Sequence, residues 1–126
     1  MNRIVKTLIL FLNIMLAFDN PANAEDATGG YMIIGQGADS CGKYDGARQQ
    51  PSGIDAVVYE VWLAGYLTGT NKQLPKTNNI LGHTDIDGAL GWLDNFCHAN
   101  PTKAVADAAA QLSVFLYPTR QQSADK

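Results

Sequence analysis

Apolar and polar positions alternate with different periods along this chain, and the period changes mark its segments. Residues 7–18 (TLILFLNIMLAF) form an almost unbroken apolar run. Tyr31–Ile34 is a second, much shorter apolar stretch, closed by Gly35-Gln36-Gly37. Four residues read either as one short edge strand or as extended chain lying on the core. Asp39 or Ser40 can cap a short helix through Cys41, Tyr44 and Arg48, which Gly42 and Gly46 weaken. After the turn Gln49–Gly53, Ile54, Val57/Val58, Val61/Trp62 and Gly65 recur at steps of three and four, predicting a helix to about Asn71. Gly65 and Gly69 lie four apart on it, a spacing that suggests another backbone passing close by.

Residues 73–83 read as a loop around Pro75. Thr84, with Asp87 three residues later, is the expected cap of the next helix. Along that helix Ile86, Leu90, Leu93 and Cys97 share a face, with Ala89 and Phe96 beside them and Trp92 on the flank. It ends by Ala99. Asn100 then predicts a cap and Pro101 the first residue of a last helix carrying Val105, Ala109, Leu112 and Leu116 and stopping at Pro118. A single linking residue makes these two helices packed neighbours. The expectation is a mainly α fold: a small helical domain of about four helices over residues 39–118, with one disulfide and room for one short N-terminal strand. Residues 25–38 are an extended leader and residues 119–126 a frayed polar tail.

The first apolar run changes what the composition means. Arg3 and Lys6 precede it, and Asn20-Pro21 and Ala22-Asn23-Ala24 follow, which is the three-part pattern of a secretory signal at residues 1–24. Asp19 closes the run well short of the roughly 20 apolar residues of a membrane span, so no span remains after cleavage behind Ala24. Removing 24 of the 126 residues leaves 102. Arg3, Lys6 and Asp19 go with them, so nine bases become seven, twelve acids become eleven, and the charge of −3 becomes −4. An acidic chain with scattered cations lacks the basic patch of a nucleic-acid binder.

Export also decides the cysteines. In an oxidising compartment Cys41 and Cys97 pair, closing a loop worth about 4 kcal/mol by chain entropy. A nucleophilic Cys97 served by His98 is disfavoured, because adjacent helical residues point about 100° apart. His83 and His98 have no metal-binding spacing, and Asp85, Asp87 and Asp94 read as helix-associated carboxylates. Gly35-Gln36-Gly37 lacks the third glycine of a dinucleotide loop, and no serine has a nucleophile-elbow setting. The expectation is therefore no enzyme, no metal and no cofactor. What remains is aromatic. Trp62 and Tyr66 share a helix face with Asn71 at its end, and together with Trp92 and Asp94 they are the candidate partner or pocket surface. The alternative for them is core packing with a wet tyrosine tip.

At residues 62–69 (WLAGYLTG) and 92–101 (WLDNFCHANP) the chain resembles small exported bacterial helical proteins. These include the HdeA/HdeB acid-stress chaperones and the similar immunity proteins that neutralise type VI secretion effectors. The shared pattern is a first cysteine before a short helix, a glycine-containing middle helix and a C-x-x-N-P step, here Cys97 through Pro101. The resemblance implies a helical fold with a Cys41–Cys97 disulfide in the periplasm of a Gram-negative cell. For the chaperone type it implies unfolded clients, bound when protonated carboxylates loosen the fold or a dimer. For the immunity type it implies one cognate effector, occluded by a preformed surface. A small-ligand binder or enzyme using the Trp62/Tyr66 region is the outside option.

Overall fold

The computed structural model describes Asp26 and residues 28–123 and divides into two units, Met1–Met32 and Ile33–Lys126. The expected signal segment, residues 1–24, lies outside the described residues. In the first unit the Asp26 carboxylate accepts from the Thr28 and Gly30 amides, each at 2.8 Å, and closes a turn. The short strand read at Tyr31–Ile34 is absent. Tyr31, Met32 and Ile34 are all exposed, Ile34 by 79%, and none of them takes part in a β-bridge. Among the described residues the only bridges are the isolated pairs Ser40↔Ala104 and Asn79↔Gln121.

The second unit carries four helices: α1 (Cys41–Arg48), α2 (Ile54–Gln73), α3 (Ile86–Ala99) and α4 (Val105–Leu116). Ser40 caps α1 by accepting from the Lys43 amide at 3.2 Å. This leaves the Cys41 and Gly42 amides, which donate to the Lys103 and Pro101 carbonyls at 2.8 and 2.9 Å. The same requirement corrects the predicted start of α4. Helix N-terminal amides must find acceptors, and residues 100–104 serve α1 as a strap, turned by the Lys103 amide donating to the Asn100 carbonyl at 3.1 Å, rather than opening a helix. The strap is locked further by the Val105 amide donating to Asp39 at 2.9 Å. Asn100 belongs to the end of α3, its side-chain amide donating to the Phe96 carbonyl at 2.8 Å. The α3 cap also moves by one residue. Asp85, in extended backbone, accepts from the Gly88 amide at 2.9 Å, displacing Thr84 from that role.

The predicted face of α3 points inward, with Ala89, Leu90, Leu93 and Cys97 buried. It meets Cys41 and Tyr44 of α1, Val105, Ala108, Ala109 and Leu112 of α4, and Ile80 from the preceding loop. The Cys41–Cys97 disulfide joins α1 to α3 with Cα atoms 4.7 Å apart, inside the usual range. In α2 the inward face is Ala56, Tyr59, Leu63 and Leu67; of the stripe that its spacing picks out, Val58 and Trp62 are half-buried against this core, while Ile54, Val57, Val61 and Gly65 face solvent. No backbone passes Gly65 or Gly69; a Cβ at either would meet nothing within 4 Å. That corrects the expected close approach.

The described part of the tail, to Ser123, is held, not frayed. Gln121 exchanges backbone hydrogen bonds with the Asn78/Asn79 strip, and its side-chain amide donates to Gly82 at 3.2 Å. Arg120 donates to Thr77 at 3.0 Å and lies 3.8 Å over the Tyr117 ring. Gly82 sits at φ +62°, and a Cβ there would collide with the Thr119 carbonyl, so only glycine lets the tail cross. Among the described residues no helix is long and apolar enough to cross a membrane.

Candidate partner-binding surface

The five aromatic and polar candidates do not converge on one pocket. Trp62 is a wedge. Its Nε1 donates to the Ile34 carbonyl at 2.8 Å, and its ring fills the space a Cβ of Gly37 would need. The Gly35–Ala38 3₁₀ turn thus rests on α2 because Gly37 has no side chain. Tyr66 stacks on Trp62 with centroids 5.5 Å apart. Asn71 is structural too: its Oδ1 accepts from the amide of buried Ile80 at 2.7 Å and pins the following loop. Trp92 stacks on Phe96 at 5.5 Å and meets Phe115 at 5.8 Å.

Asp94 joins a different cluster. Its oxygens accept from Arg48 Nε at 2.8 Å and Nη2 at 3.0 Å, and the Tyr44 hydroxyl donates to it at 2.7 Å. Burial works against its charge, but the bonds from Arg48 and Tyr44 outweigh it and lower the carboxyl pKa. Burial first, and the bonded carboxylate second, push the Tyr44 phenol up. Asp39 makes the matching tie to α2. Lys43 at 2.9 Å lowers its pKa most, burial opposes, and the Tyr59 hydroxyl at 2.9 Å assists. Around Asp94 lies a polar concavity of about 510 Å³ that also includes Asp45, Arg48, Gln49, Asn95 and His98. Neither Trp62 nor Asn71 lines it.

Tyr66 opens instead onto a groove of about 430 Å³ between α2 and α4, lined by Thr70, Gln73, Leu74, Ser113, Val114 and Tyr117. None of these residues is an acid, a histidine, a lysine or an arginine. The two aliphatic hydroxyls on its walls are spent on their own helices, Thr70 to the Tyr66 carbonyl and Ser113 to the Ala109 carbonyl, each at 3.0 Å. The groove therefore offers apolar surface with few free polar groups. Val114, 69% exposed, forms its rim, and Phe115, 62% exposed, continues the apolar surface toward Trp92. Val114 and Tyr117 escaped sequence reasoning. Their signal was present, as large apolar residues lying off the Val105–Leu116 core stripe.

Among the described residues no group of three or more His, Cys, Asp or Glu side chains could hold a metal ion. His83 and His98 are both exposed, and His98 Nδ1 stands 3.9 Å from Asp45. Compared with known proteins, the chain matches no family model, no curated protein and no solved structure.

Proposed function

We propose that this chain is an exported, periplasmic, non-enzymatic binding protein of chaperone-like type, which takes apolar segments of unfolded clients into the α2–α4 groove. The observation that carries this reading is the groove itself: uncharged, apolar, and rimmed by Val114 and Tyr117. Partner surfaces favour such aromatics and disfavour charge at their centre. The two carboxylate ties of α1, Asp39 to Tyr59 and Asp94 to Arg48 and Tyr44, supply an acid response, since protonation removes acceptors that hold α1 to α2 and α3.

The test is light scattering from an aggregating client at neutral pH and at pH about 2–3, with wild type and Val114→Asp. Suppression by wild type, lost in the variant, supports the reading; client scattering unchanged by the protein overturns it. A second reading, an immunity protein for one secreted effector, is favoured by the polar concavity around Asp94. The disulfide and the Arg48 pair hold that surface in a fixed shape. A pull-down from extract that returns one stoichiometric partner at neutral pH, rather than many at low pH, selects it.

A further inference from the structure

Beside the Gly35–Ala38 turn, α1 and α2 leave a polar cleft between them of about 250 Å³. Both helices line it by their ordinary spacing. Lys43, Gly46 and Ala47 stand three and four apart on α1, and Asp55, Val58 and Tyr59 do the same on α2. Gln36 of the turn and Asp39 just after it complete the lining. The space exists because α1 turns a glycine and an alanine toward α2. A Cβ on Gly46 would meet nothing within 4 Å, so no neighbour demands a glycine there, although glycine weakens so short a helix. We propose that this cleft binds a small monocationic amine, its ammonium held at Asp55 and its hydrocarbon body lying along Gly46, Ala47 and Val58.

The chemistry of the lining selects that class of ligand. Asp39 is already engaged, since Lys43 donates to one of its oxygens and the Tyr59 hydroxyl to the other, each at 2.9 Å. The charge of Lys43 is therefore balanced inside the cleft, and Tyr59 has spent its proton and keeps only an acceptor. Asp55 differs. Its carboxylate makes no hydrogen bond or ion pair with another described residue, and neither does the side-chain amide of Gln36. Two carboxylates and one ammonium leave the lining with a net negative charge, against which an anion would bind poorly. The unspent carboxylate, with the Gln36 amide oxygen and the Tyr59 phenol oxygen, is an acceptor set suited to the three N–H donors of an alkylammonium. A metal ion fits less well, because no three ligand groups gather among the described residues.

Size and charge narrow the class. At roughly 30 Å³ per water, a cleft of about 250 Å³ holds about eight non-hydrogen atoms, enough for an alkylamine of about five carbons and too few for a peptide segment. Val58, Ala47 and Gly46 offer that chain a wall without polar side chains. A diamine is disfavoured. Its second ammonium would lie near Lys43 with no carboxylate left to receive it.

The test is two-dimensional NMR of isotope-labelled protein titrated with pentylammonium chloride, in about 150 mM sodium chloride to screen scattered surface attraction. The expected result is a set of saturable shifts at the backbone amides of Gln36, Gly46, Ala47 and Val58, with a dissociation constant of about 1 mM or below. Pentanol lacks the charge, and the diamine of the same chain length adds a second one. Each should bind at least about tenfold more weakly. Asp55→Asn alters an exposed side chain that has no bonding partner, and it should weaken pentylammonium at least about tenfold. Gly46→Leu fills the open side and should abolish the shifts, with circular dichroism as the control for folding in both variants. Shifts that fail to saturate by about 10 mM amine overturn the proposal. So does undiminished binding in either variant, or binding of pentanol or the diamine as tight as that of the amine. The cleft shares no lining residue with the α2–α4 groove, so client binding stands or falls separately.

Discussion

Helices α3 and α2 are both apolar at helical spacing, yet only α3 uses that spacing to face the core. In α3 the stripe Leu90, Leu93 and Cys97 is buried, while Asp87, Asn95 and His98 stand in water. The pattern has one apolar side, and folding has one choice. In α2 both sides are apolar, and the stripe splits: Val58 and Trp62 lean on the core, while Ile54, Val57, Val61 and Gly65 are left outside. Period alone cannot pick the buried face of such a helix. Size and shape decide it: the large Tyr59, Leu63 and Leu67 fill the space against Tyr44 and Leu112, which β-branched and glycine positions would fill poorly. Tyr59 meets Tyr44 edge-on at 5.2 Å, a contact that no residue of the outer stripe could make.

The largest effect expected from breaking this contrast is on the α3 side. Leu93 is fully buried against the disulfide-linked core. Leu93→Ala should cost about 2–5 kcal/mol, its transfer energy plus the cavity left behind. Chemical denaturation followed by circular dichroism measures it. A loss below about 1 kcal/mol would mean that α3 is not the packed helix described.

The middle effect concerns α1, which is tied to both helices. Folded Asp94 and Asp39 have pKa values lowered from the ordinary 3.8. A lowered folded value means stability complete above the ordinary pKa and lost as pH falls through the folded one. Unfolding scans from pH 7 to about 2 should therefore steepen below about 4. Asp94→Asn should cost about 1 kcal/mol at neutral pH, allowing for the carboxylate's contact with solvent, and should flatten the acid limb. An acid limb unchanged in Asp94→Asn would show that the Arg48–Asp94 pair contributes nothing to the acid response.

How much of this was legible in the sequence follows the same division. The four helices, the cysteine pairing and the core face of α3 were readable because side-chain period and composition encode them. The start of α4 was not, because residues 100–104 are held by backbone bonds from Cys41 and Gly42, and backbone bonds leave no compositional trace. The pinned tail at Arg120 and Gln121 escaped for the same reason. Of the candidate surface residues, Tyr66 reached a groove and Asp94 a concavity. Trp62 and Asn71 proved to be braces, holding the 3₁₀ turn and the Ile80 loop. A lone side-chain bond to a distant carbonyl or amide cannot be read from spacing.

The smallest expected effect tests the outer face of α2 directly. Val61 is two-thirds exposed, so truncating it in the monomer removes little buried area. Alanine is the better helix former by about half a kcal/mol, because valine loses side-chain freedom against the preceding turn. In dilute solution Val61→Ala should thus be neutral or slightly stabilising, within about 0.5 kcal/mol of wild type. A dilute-solution loss as large as that of Leu93→Ala would mean that α2 buries the stripe its spacing picks out, and the contrast between the two helices would disappear.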